Sequence, residues 1–247
     1  MTQPPLPPPL PGEPPPPLIP AVPAVIAPFR SAGPLGTLTI ALLVVNIVVA
    51  IAFAASTLAE IRLLQRAQAG QGVTLQEAQR NDDRESALGA AETIAFVVTG
   101  IAWLVWVHRA HANLDALGAR ELKFTHGWAV GWTLFPFANL VMVPQVMSEV
   151  TRASDPSGGT VDWKSRRAPS IIAAWWATYL IGIVVRQVGV VQRGATPKSD
   201  VITTLVSADR ILVASQVVIA IAGLLAIALV RRVIAGQQAR SAALGPV

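Results

Sequence analysis

HGWAVGWTLFPFANLVMVPQ, residues 126–145, is the segment on which the number of membrane crossings depends, because it is apolar and almost long enough to cross a bilayer. Pro136 and Pro144 interrupt it, and an interior proline removes a backbone hydrogen bond and crowds the preceding turn of a helix. Carbonyl groups freed in this way are costly in lipid unless protein or water satisfies them. The segment therefore either spans the membrane as an irregular helix or lies embedded in it without crossing.

The composition indicates an integral membrane protein. Of the 247 residues, 53% are hydrophobic and 13% are charged, with a mean hydropathy of +0.53. Soluble domains usually contain about 25% charged residues. The chain has no cysteine, which excludes disulfides, thiolate metal sites and cysteine nucleophiles. Its net charge of +5 is not concentrated in one basic patch and therefore does not indicate a nucleic-acid-binding protein.

Four apolar runs are long enough to cross a bilayer as helices. At a rise of ~1.5 Å per residue, about 20 residues span the ~30 Å hydrocarbon core. Arg186 lies near one end of the third run, where its long side chain is expected to reach the headgroups. Thr74 and Glu77 have the spacing of a capping box, which predicts a helix start ahead of the second run. The predicted spans are residues 36–58, 87–107, 171–191 and 211–230.

The distribution of positive charge does not show whether residues 126–150 cross the membrane. If they do not cross, both termini lie on one face together with eleven lysine and arginine residues, against seven on the other face. If they cross, the loops are reassigned and the count is again eleven against seven, with the N-terminus outside. The positive-inside effect therefore favours neither topology.

The side chains of this segment favour an embedded position. Asn139 lies between the two prolines, and Trp128 and Trp132 near its start are typical of the headgroup level. A helix interrupted in this way is poorly suited to face lipid along its whole length. We therefore predict an all-α integral membrane protein, a bundle of four transmembrane helices plus a proline-broken embedded segment at residues 126–150. A fifth spanning helix is the alternative.

The two ends of the chain differ from the membrane domain in composition. Residues 1–34 are rich in proline, and such a tract is expected to be a disordered tail that samples the polyproline II conformation. Its first residues contain neither a basic region nor an apolar run, which argues against a signal peptide. The predicted organisation is a proline-rich tail at 1–34, a membrane domain at 35–240 and a short tail at 241–247. Both termini are predicted to be cytoplasmic.

The end of the second apolar run contains a candidate motif. Trp106, Arg109 and Asn113 are spaced i, i+3 and i+7 and therefore share one face of a helix. An arginine and an asparagine at a membrane surface can hold a neighbouring backbone, a lipid phosphate or an anionic ligand. A purely positional role is the alternative, because arginines commonly end membrane spans.

This motif is part of a longer pattern that continues with GWAVGW, FPFANL, Pro144, Met147 and Glu149, then RASDP at 152–156 and the pair Trp175 and Trp176. The pattern resembles a bacterial membrane family known as domain of unknown function 4328, over about residues 36–240. The resemblance implies a multi-spanning bacterial membrane protein and supplies no catalytic residue. His108 departs from it, because the family favours an aromatic residue there. The candidate site residues are Trp106, Arg109, Asn113, Trp128, Trp132, Pro136, Asn139, Pro144 and Glu149.

Other polar residues support narrower hypotheses. Three histidines lie between residues 108 and 126, and with Asp115 or Glu121 they could offer imidazole and carboxylate ligands. Histidines are common near membrane surfaces and no HExxH motif occurs, so neither a metal nor a cofactor is predicted. Glu92 is an ionisable residue within the second span, which is a feature of transport pathways. A simpler interpretation is that the Glu92 side chain reaches the nearby membrane interface.

The predicted function is a non-enzymatic accessory or scaffold module of the bacterial cell envelope, located in the cell membrane as a multi-pass protein. Its expected partners are membrane lipids and envelope proteins, and not nucleic acid. One alternative is a small-solute transporter or permeation unit that uses the broken helix as its site, as discontinuous helices do in carriers. A second alternative is a membrane-embedded enzyme that acts on lipid.

Overall fold

Six α-helices form the described part of the chain, which comprises residues 28–156, 163–195 and 200–244 of a computed structural model. Short 3₁₀ turns at Trp132–Leu134 and Trp163–Ser165 complete the secondary structure, and no strand occurs in these ranges. The all-α prediction is therefore confirmed for the described residues. The helices are α1 (Gly33–Gln68), α2 (Leu75–Ala116), α3 (His126–Gly131), α4 (Ala138–Ala153), α5 (Ser170–Gly194) and α6 (Val201–Leu244).

Helices α1, α2, α5 and α6 are each long and apolar enough to cross a membrane. Each contains one of the four predicted spans, which confirms that part of the prediction. Helix α1 already begins at Gly33, with Pro34 in its first turn, where a missing N–H costs no helical bond. Helix α6 continues to Leu244, so most of the predicted C-terminal tail is helical. Residues 1–27 of the predicted proline-rich tail lie outside the described residues.

Two ends of the bundle can be distinguished. The loop end carries the α1–α2 and α5–α6 connections, and the terminal end is where α1 begins and α6 ends. At the loop end, the Thr74 hydroxyl accepts a bond from the Glu77 N–H (3.2 Å), and the Glu77 carboxylate accepts one from the Thr74 N–H (2.9 Å). The predicted capping box is therefore present, and it starts α2 well before its apolar run.

Three of the four seams of the bundle are closely packed. Helix α1 packs against both α2 and α6, and α5 packs against α6. The α5–α6 seam depends on small residues, because a Cβ atom at Gly182 would lie 2.8 Å from Ile219, and one at Gly189 would lie 2.8 Å from Leu212. Helices α2 and α5 do not pack closely along their backbones. The fourth seam is therefore bridged mainly by side chains.

Residues 126–153, which we call the hairpin segment, do not run the length of the bundle. Helix α3 begins beside the end of α2, where the His126 carbonyl lies 3.2 Å from His108 Nδ1. The chain reverses at Phe137, which has a φ of +66°, and α4 returns to the terminal end, where Arg240 Nη1 donates to the Ala153 carbonyl (2.6 Å). Both ends of the segment therefore lie at the terminal end. A fifth spanning helix is not confirmed.

The buried core is concentrated toward the terminal end. Trp106, Leu114 and Leu229 are fully buried there, together with Met147 from α4. Because the hairpin segment packs between α2, α5 and α6, this end of the bundle has a fifth layer of side chains that the loop end lacks. Large apolar side chains on the rest of the four long helices are exposed, as expected for surfaces that face lipid.

Candidate functional site

The break in α4 at Pro144 is compensated by a side chain from another helix. Proline has no N–H, so the carbonyl of Leu140, four residues earlier, receives no helical hydrogen bond. Trp176 Nε1 on α5 donates to this carbonyl at 2.9 Å. The proline that makes the hairpin segment irregular therefore also creates a specific attachment to α5.

Glu149 is the central buried anchor of the hairpin segment. Its carboxylate, in a residue only 2% exposed, accepts bonds from the backbone N–H groups of Lys123 (2.6 Å) and Phe124 (3.3 Å). His111 Nε2 on α2 lies 3.0 Å from the same carboxylate. One side chain thus ties together α4, the end of α2 and the loop that leads into α3.

A chain of hydrogen bonds continues from Glu149 to the surface. His111 Nδ1 lies 2.8 Å from His126 Nδ1, and His126 Nε2 lies 3.0 Å from the carboxylate of Asp115. With both carboxylates ionised, these three contacts need three N–H hydrogens on two imidazole rings, one more than two neutral rings carry. In the contact between the two rings, one Nδ1 therefore donates and the other accepts. The sequence placed these residues near one another but did not reveal this chain.

A second buried polar group joins α2 to α6. Asn113 Nδ2 donates to Gln237 Oε1 (3.0 Å), and Asn113 Oδ1 accepts a bond from the backbone N–H of Arg30 (3.3 Å). Gln237 Nε2 donates in turn to the Ala110 carbonyl (2.7 Å) and to Ser154 Oγ (3.2 Å). Asn113 therefore holds a neighbouring backbone and side chain, which was one of the roles predicted for it.

The other predicted motif residues have separate environments. Trp106 is fully buried, whereas Arg109 is half-buried and makes no hydrogen bond or ion pair within the described residues. Trp128 and Trp132 pack against each other with tilted rings, centroids 4.9 Å apart, at the start of the hairpin segment. The structure does not join the predicted residues into one site. It divides them between buried anchors and surface residues.

Unpaired arginines are more numerous at the terminal end than at the loop end. At the loop end, arginines pair with carboxylates, as Arg66 does with Glu77 (3.2 Å) and Arg193 with Glu60 (2.6 Å). Three other loop-end arginine side chains make no hydrogen bond or ion pair among the described residues, namely Arg62, Arg80 and Arg210. At the terminal end six arginine side chains in the described ranges make no hydrogen bond or ion pair, namely Arg30, Arg109, Arg120, Arg167, Arg231 and Arg232.

A cleft of about 650 Å³ at the terminal end contains cations that already have protein partners. Lys164 pairs with Glu121 (2.5 Å), and Lys123 donates to Gln145. Arg152 donates to the Lys164 carbonyl (3.2 Å) and lies over the ring of Trp163. Since these charges are satisfied within the protein, the cleft offers little free positive charge to an anion.

A second cavity, of about 380 Å³, lies between the hairpin segment and the four long helices. Its walls come from the centres of the apolar runs, at residues 43–50, 96–104, 175–179 and 219–226. Asn139 and Thr133 contribute polar groups from the hairpin segment, and Trp103, Trp175 and Trp176 contribute aromatic rings. Residues of both α2 and α5 line this cavity, so it borders the seam between these helices, which we call the open seam because their backbones do not pack closely.

Residues 69–235 match the model of a family described as a domain of unknown function (DUF4328). The match covers more than half of the chain. The chain belongs to the DUF4328 family. The match runs from the α1–α2 connection to the last turns of α6, so the predicted resemblance is confirmed for α2 to α6, and α1 lies outside the match. No curated protein and no solved structure matches this DUF4328 chain.

Two polar clusters of this DUF4328 chain were not predicted as such. Glu92 pairs with Arg186 across the open seam (2.9 Å), so Arg186 is neutralised by a partner, whereas an approach to the headgroups alone was expected. At the loop end, Arg193 contacts two buried carboxylates, those of Glu60 and Asp209. The only signal in the sequence is a charged residue near the end of each apolar run, and it does not identify the partners.

Proposed function

We propose that this DUF4328 chain is a multi-pass protein of the cell membrane with both termini in the cytoplasm. The hairpin segment then lies embedded in the leaflet at the terminal end. Its tip exposes Leu134 and Phe137, 71% and 84% accessible, which is favourable in lipid and unfavourable in water. Since both ends of the segment are at the terminal end, eleven of the lysines and arginines are on that side, which supports a cytoplasmic location.

Within the membrane, the chain acts as a non-enzymatic accessory or scaffold module that binds anionic lipid headgroups. The observation that supports this role is the group of terminal-end arginines whose side chains make no hydrogen bond or ion pair among the described residues. Arg109, Arg231 and Arg232 directly follow the apolar runs of α2 and α6, at the level where lipid phosphates lie. The buried anchors at Glu149 and Gln237 hold this surface rigid, as a docking platform requires. Envelope proteins that bind the same lipids are its expected partners.

The topology is tested by single-cysteine labelling, because the chain has no native cysteine. Cysteines at Gly70 and Ala195 should react with an impermeant thiol reagent in intact cells. Cysteines at Glu121 and Ala243 should react only after permeabilisation. Glu121→Cys controls for the crossing of α2 alone. Labelling of Ala243→Cys on the same face as Gly70→Cys, with Ala195→Cys on the opposite face, would refute the embedded, non-crossing hairpin segment.

The headgroup-binding role is tested by lipid retention. The protein is extracted gently from membranes that contain phosphatidylglycerol and phosphatidylethanolamine, and the lipids that copurify are quantified by mass spectrometry. The triple variant Arg109→Gln, Arg231→Gln and Arg232→Gln should retain severalfold less phosphatidylglycerol. The matched control is the loop-end triple Arg62→Gln, Arg80→Gln and Arg210→Gln, which removes the same charge. Equal loss in both triples would show a general charge effect and would contradict a terminal-end site.

A small-solute permeation unit is the second candidate, favoured by the cavity beside the broken helix. No charged residue in the described part of the chain lines the cavity, so an uncharged solute such as glycerol is the appropriate probe. Stopped-flow light scattering should then show faster glycerol entry into proteoliposomes than into empty liposomes, with loss of the effect in Asn139→Leu. Equal rates with and without protein would exclude this candidate for glycerol. The lipid-acting enzyme gains no specific observation from the described residues.

A further inference from the structure

The cavity of about 380 Å³ contains polar groups without protein partners at membrane depth. Asn139, with a carboxamide, and Thr133 and Tyr179, each with a hydroxyl, are among its lining residues. Within the described ranges none of these three groups makes a hydrogen bond. Asn46, also in the lining, already has protein partners, because it donates to the carbonyls of Leu42 (2.9 Å) and Ala95 (3.2 Å) and contacts the Thr99 hydroxyl. Unsatisfied polar groups are unfavourable in a hydrocarbon environment, so these positions favour a polar ligand group.

The charge of the cavity restricts the ligand. Among the residues that the structure describes, no Asp, Glu, Lys, Arg or His lines it. The nearest ion pair on its helices, Glu92 with Arg186, is internally neutralised. A charged head would lose its hydration here and gain no counter-ion, which is strongly unfavourable. The complementary head is therefore uncharged and carries carbonyl or hydroxyl oxygens.

The walls of the cavity restrict the shape of the ligand. Trp103 lies against Trp175 (ring centroids 5.2 Å apart), Trp175 against Trp176 (5.3 Å) and Trp176 against Tyr179 (5.5 Å), which makes a continuous aromatic wall. Sites of this size bind small ligands through apolar and aromatic walls with a few orienting polar groups. The volume suits a head of ring or glycerol size, without an acyl chain.

The open seam gives a place for an apolar tail. Gly100 lines the cavity on α2, and a Cβ atom there would meet no other atom within 4 Å. Phe96, one turn away, lines the same cavity and is 58% exposed on the surface expected to face lipid. A tail attached to a head in the cavity would pass between α2 and α5 and reach the bilayer.

We propose that this cavity binds an uncharged amphiphile, with a carbonyl- or hydroxyl-bearing head held by Asn139, Thr133 and Tyr179 against the aromatic wall, and an apolar tail that leaves between α2 and α5. A benzoquinone-type head and a diacylglycerol head share this chemistry. The proposal requires the hairpin segment to lie in the membrane, as proposed above, but it does not use the terminal-end arginines.

Native mass spectrometry of the purified full chain, released from detergent, tests the proposal with three probes. These are a decyl-substituted benzoquinone, dioctanoylglycerol and, as a charged control, decyl phosphate. We expect saturable binding of one uncharged probe per chain and at least tenfold weaker binding of decyl phosphate. Preference for the benzoquinone would assign a planar ring head, and preference for dioctanoylglycerol would assign a glycerolipid head. Equal binding of the charged probe, or no saturable binding of either uncharged probe, would overturn the proposal.

Variants place the binding in the cavity. The double variant Thr133→Val and Asn139→Leu should weaken binding at least tenfold, whereas Thr178→Val, a neighbouring hydroxyl outside the cavity, should not. Gly100→Leu should block binding by filling the seam, and Ala177→Leu, which enlarges the exposed surface of α5, should leave it unchanged. Monodisperse elution and an unchanged melting temperature verify folding. Unchanged binding in both Gly100→Leu and the double variant would refute this location.

The arginine triple variant separates the two proposals. It should bind the uncharged probes as the wild type does, because none of its three positions lines the cavity. Loss of phosphatidylglycerol without loss of probe binding is therefore expected in this variant. Failure of the cavity proposal would appear as absent probe binding with headgroup retention intact.

Discussion

Glu149 at the terminal end and Asp209 at the loop end are both almost completely buried carboxylates, 2% and 0% exposed, but their partners differ. Both carboxylate oxygens of Glu149 accept hydrogen bonds, and two of these bonds come from backbone N–H groups. Asp209 contacts Arg193 through one oxygen, while its second oxygen has no partner among the described residues. Glu60 shares the same arginine and also has an oxygen without a partner.

The difference indicates two kinds of buried charge. The bonds to Glu149 are made largely by the backbone of one loop, so this carboxylate determines how that loop and the hairpin segment fold. The loop-end cluster places two carboxylates around one guanidinium, which leaves an excess negative charge in a low-dielectric position. We therefore expect Glu149 to stabilise the fold strongly, and we expect the second carboxylate at the loop end to contribute little or to destabilise.

The largest effect is expected for Glu149→Ala. The change leaves His111 and two backbone N–H groups without an acceptor, and each unpaired buried donor costs ~1–3 kcal/mol. The free energy of unfolding in detergent should fall by about 3–5 kcal/mol, the range for breaking a buried charged pair. Glu121→Ala, an exposed carboxylate of the same end, is the control and should have little effect. A Glu149→Ala protein with the stability of this control would show that the contrast with Asp209 has no energetic basis.

Arg193→Met should have the second-largest effect. It leaves the carboxylates of Glu60 and Asp209 buried without their cation. We expect a loss of about 2 kcal/mol, less than the 3–5 kcal/mol of a fully buried pair, because the guanidinium is 37% exposed. Thermal or denaturant unfolding measures this loss of stability.

The same cluster also contains a residue whose substitution should not reduce stability. Asp209→Asn removes one of the two competing negative charges and keeps the pair between Arg193 and Glu60, so we expect unchanged or increased stability. In the Arg193→Met background it should restore part of the loss. Strong destabilisation by Asp209→Asn alone would show that the second carboxylate is as well compensated as Glu149.

The parts of the fold that depend on residues close together along the chain could be predicted from the sequence. The four spans follow from the length of apolar runs, and the start of α2 follows from the spacing of Thr74 and Glu77. Pro136 and Pro144 also identified the hairpin segment as irregular. The donor to the carbonyl that Pro144 frees could not be predicted. Trp176 lies on another helix, and neither the sequence around Pro144 nor the sequence around Trp176 indicates that the two segments meet.

The candidate site was predicted only in part for the same reason. At ~100° per residue, Asn113 lies about 20° from Trp106 around α2, and Arg109 lies about 60° from it. Trp106 and Asn113 are therefore buried together, while Arg109 falls at the margin of the buried face and remains without a partner in the described structure. The spacing showed a shared face but not where its edge would be. Glu149 was predicted only as part of a family pattern, because its donors come from a loop without a sequence signature.

Trp176→Phe should produce a smaller loss, because it removes a single hydrogen bond. Without the indole N–H, the Leu140 carbonyl has no donor, which should cost about 1–2 kcal/mol. The matched background is Pro144→Ala, in which residue 144 regains an N–H that can bond to the same carbonyl. There, Trp176→Phe should cost about 1 kcal/mol less, as measured by a double-mutant cycle. An equal cost in both backgrounds would show that loss of aromatic packing, and not the freed carbonyl, explains the effect.

The smallest effect is expected at Glu121, a third carboxylate, which is exposed and pairs with Lys164. The hydrogen bond from the Lys164 ammonium lowers the pKa of Glu121 below its usual value of 4.5. A lowered pKa means that the folded state favours the ionised form, so the contribution to stability is present above about pH 4.5 and is lost as the pH falls through the folded pKa. A carboxyl NMR titration of the wild type and of Lys164→Gln measures this directly, and the midpoint of Glu121 should move up toward 4.5 in the variant. Added salt should produce part of the same change, because exposed pairs are screened. If neither the Lys164→Gln substitution nor added salt moved the midpoint of Glu121, Lys164 would not be the cause of its lowered pKa. Exposed ion pairs would then contribute nothing to the difference in stability between the two ends of the bundle.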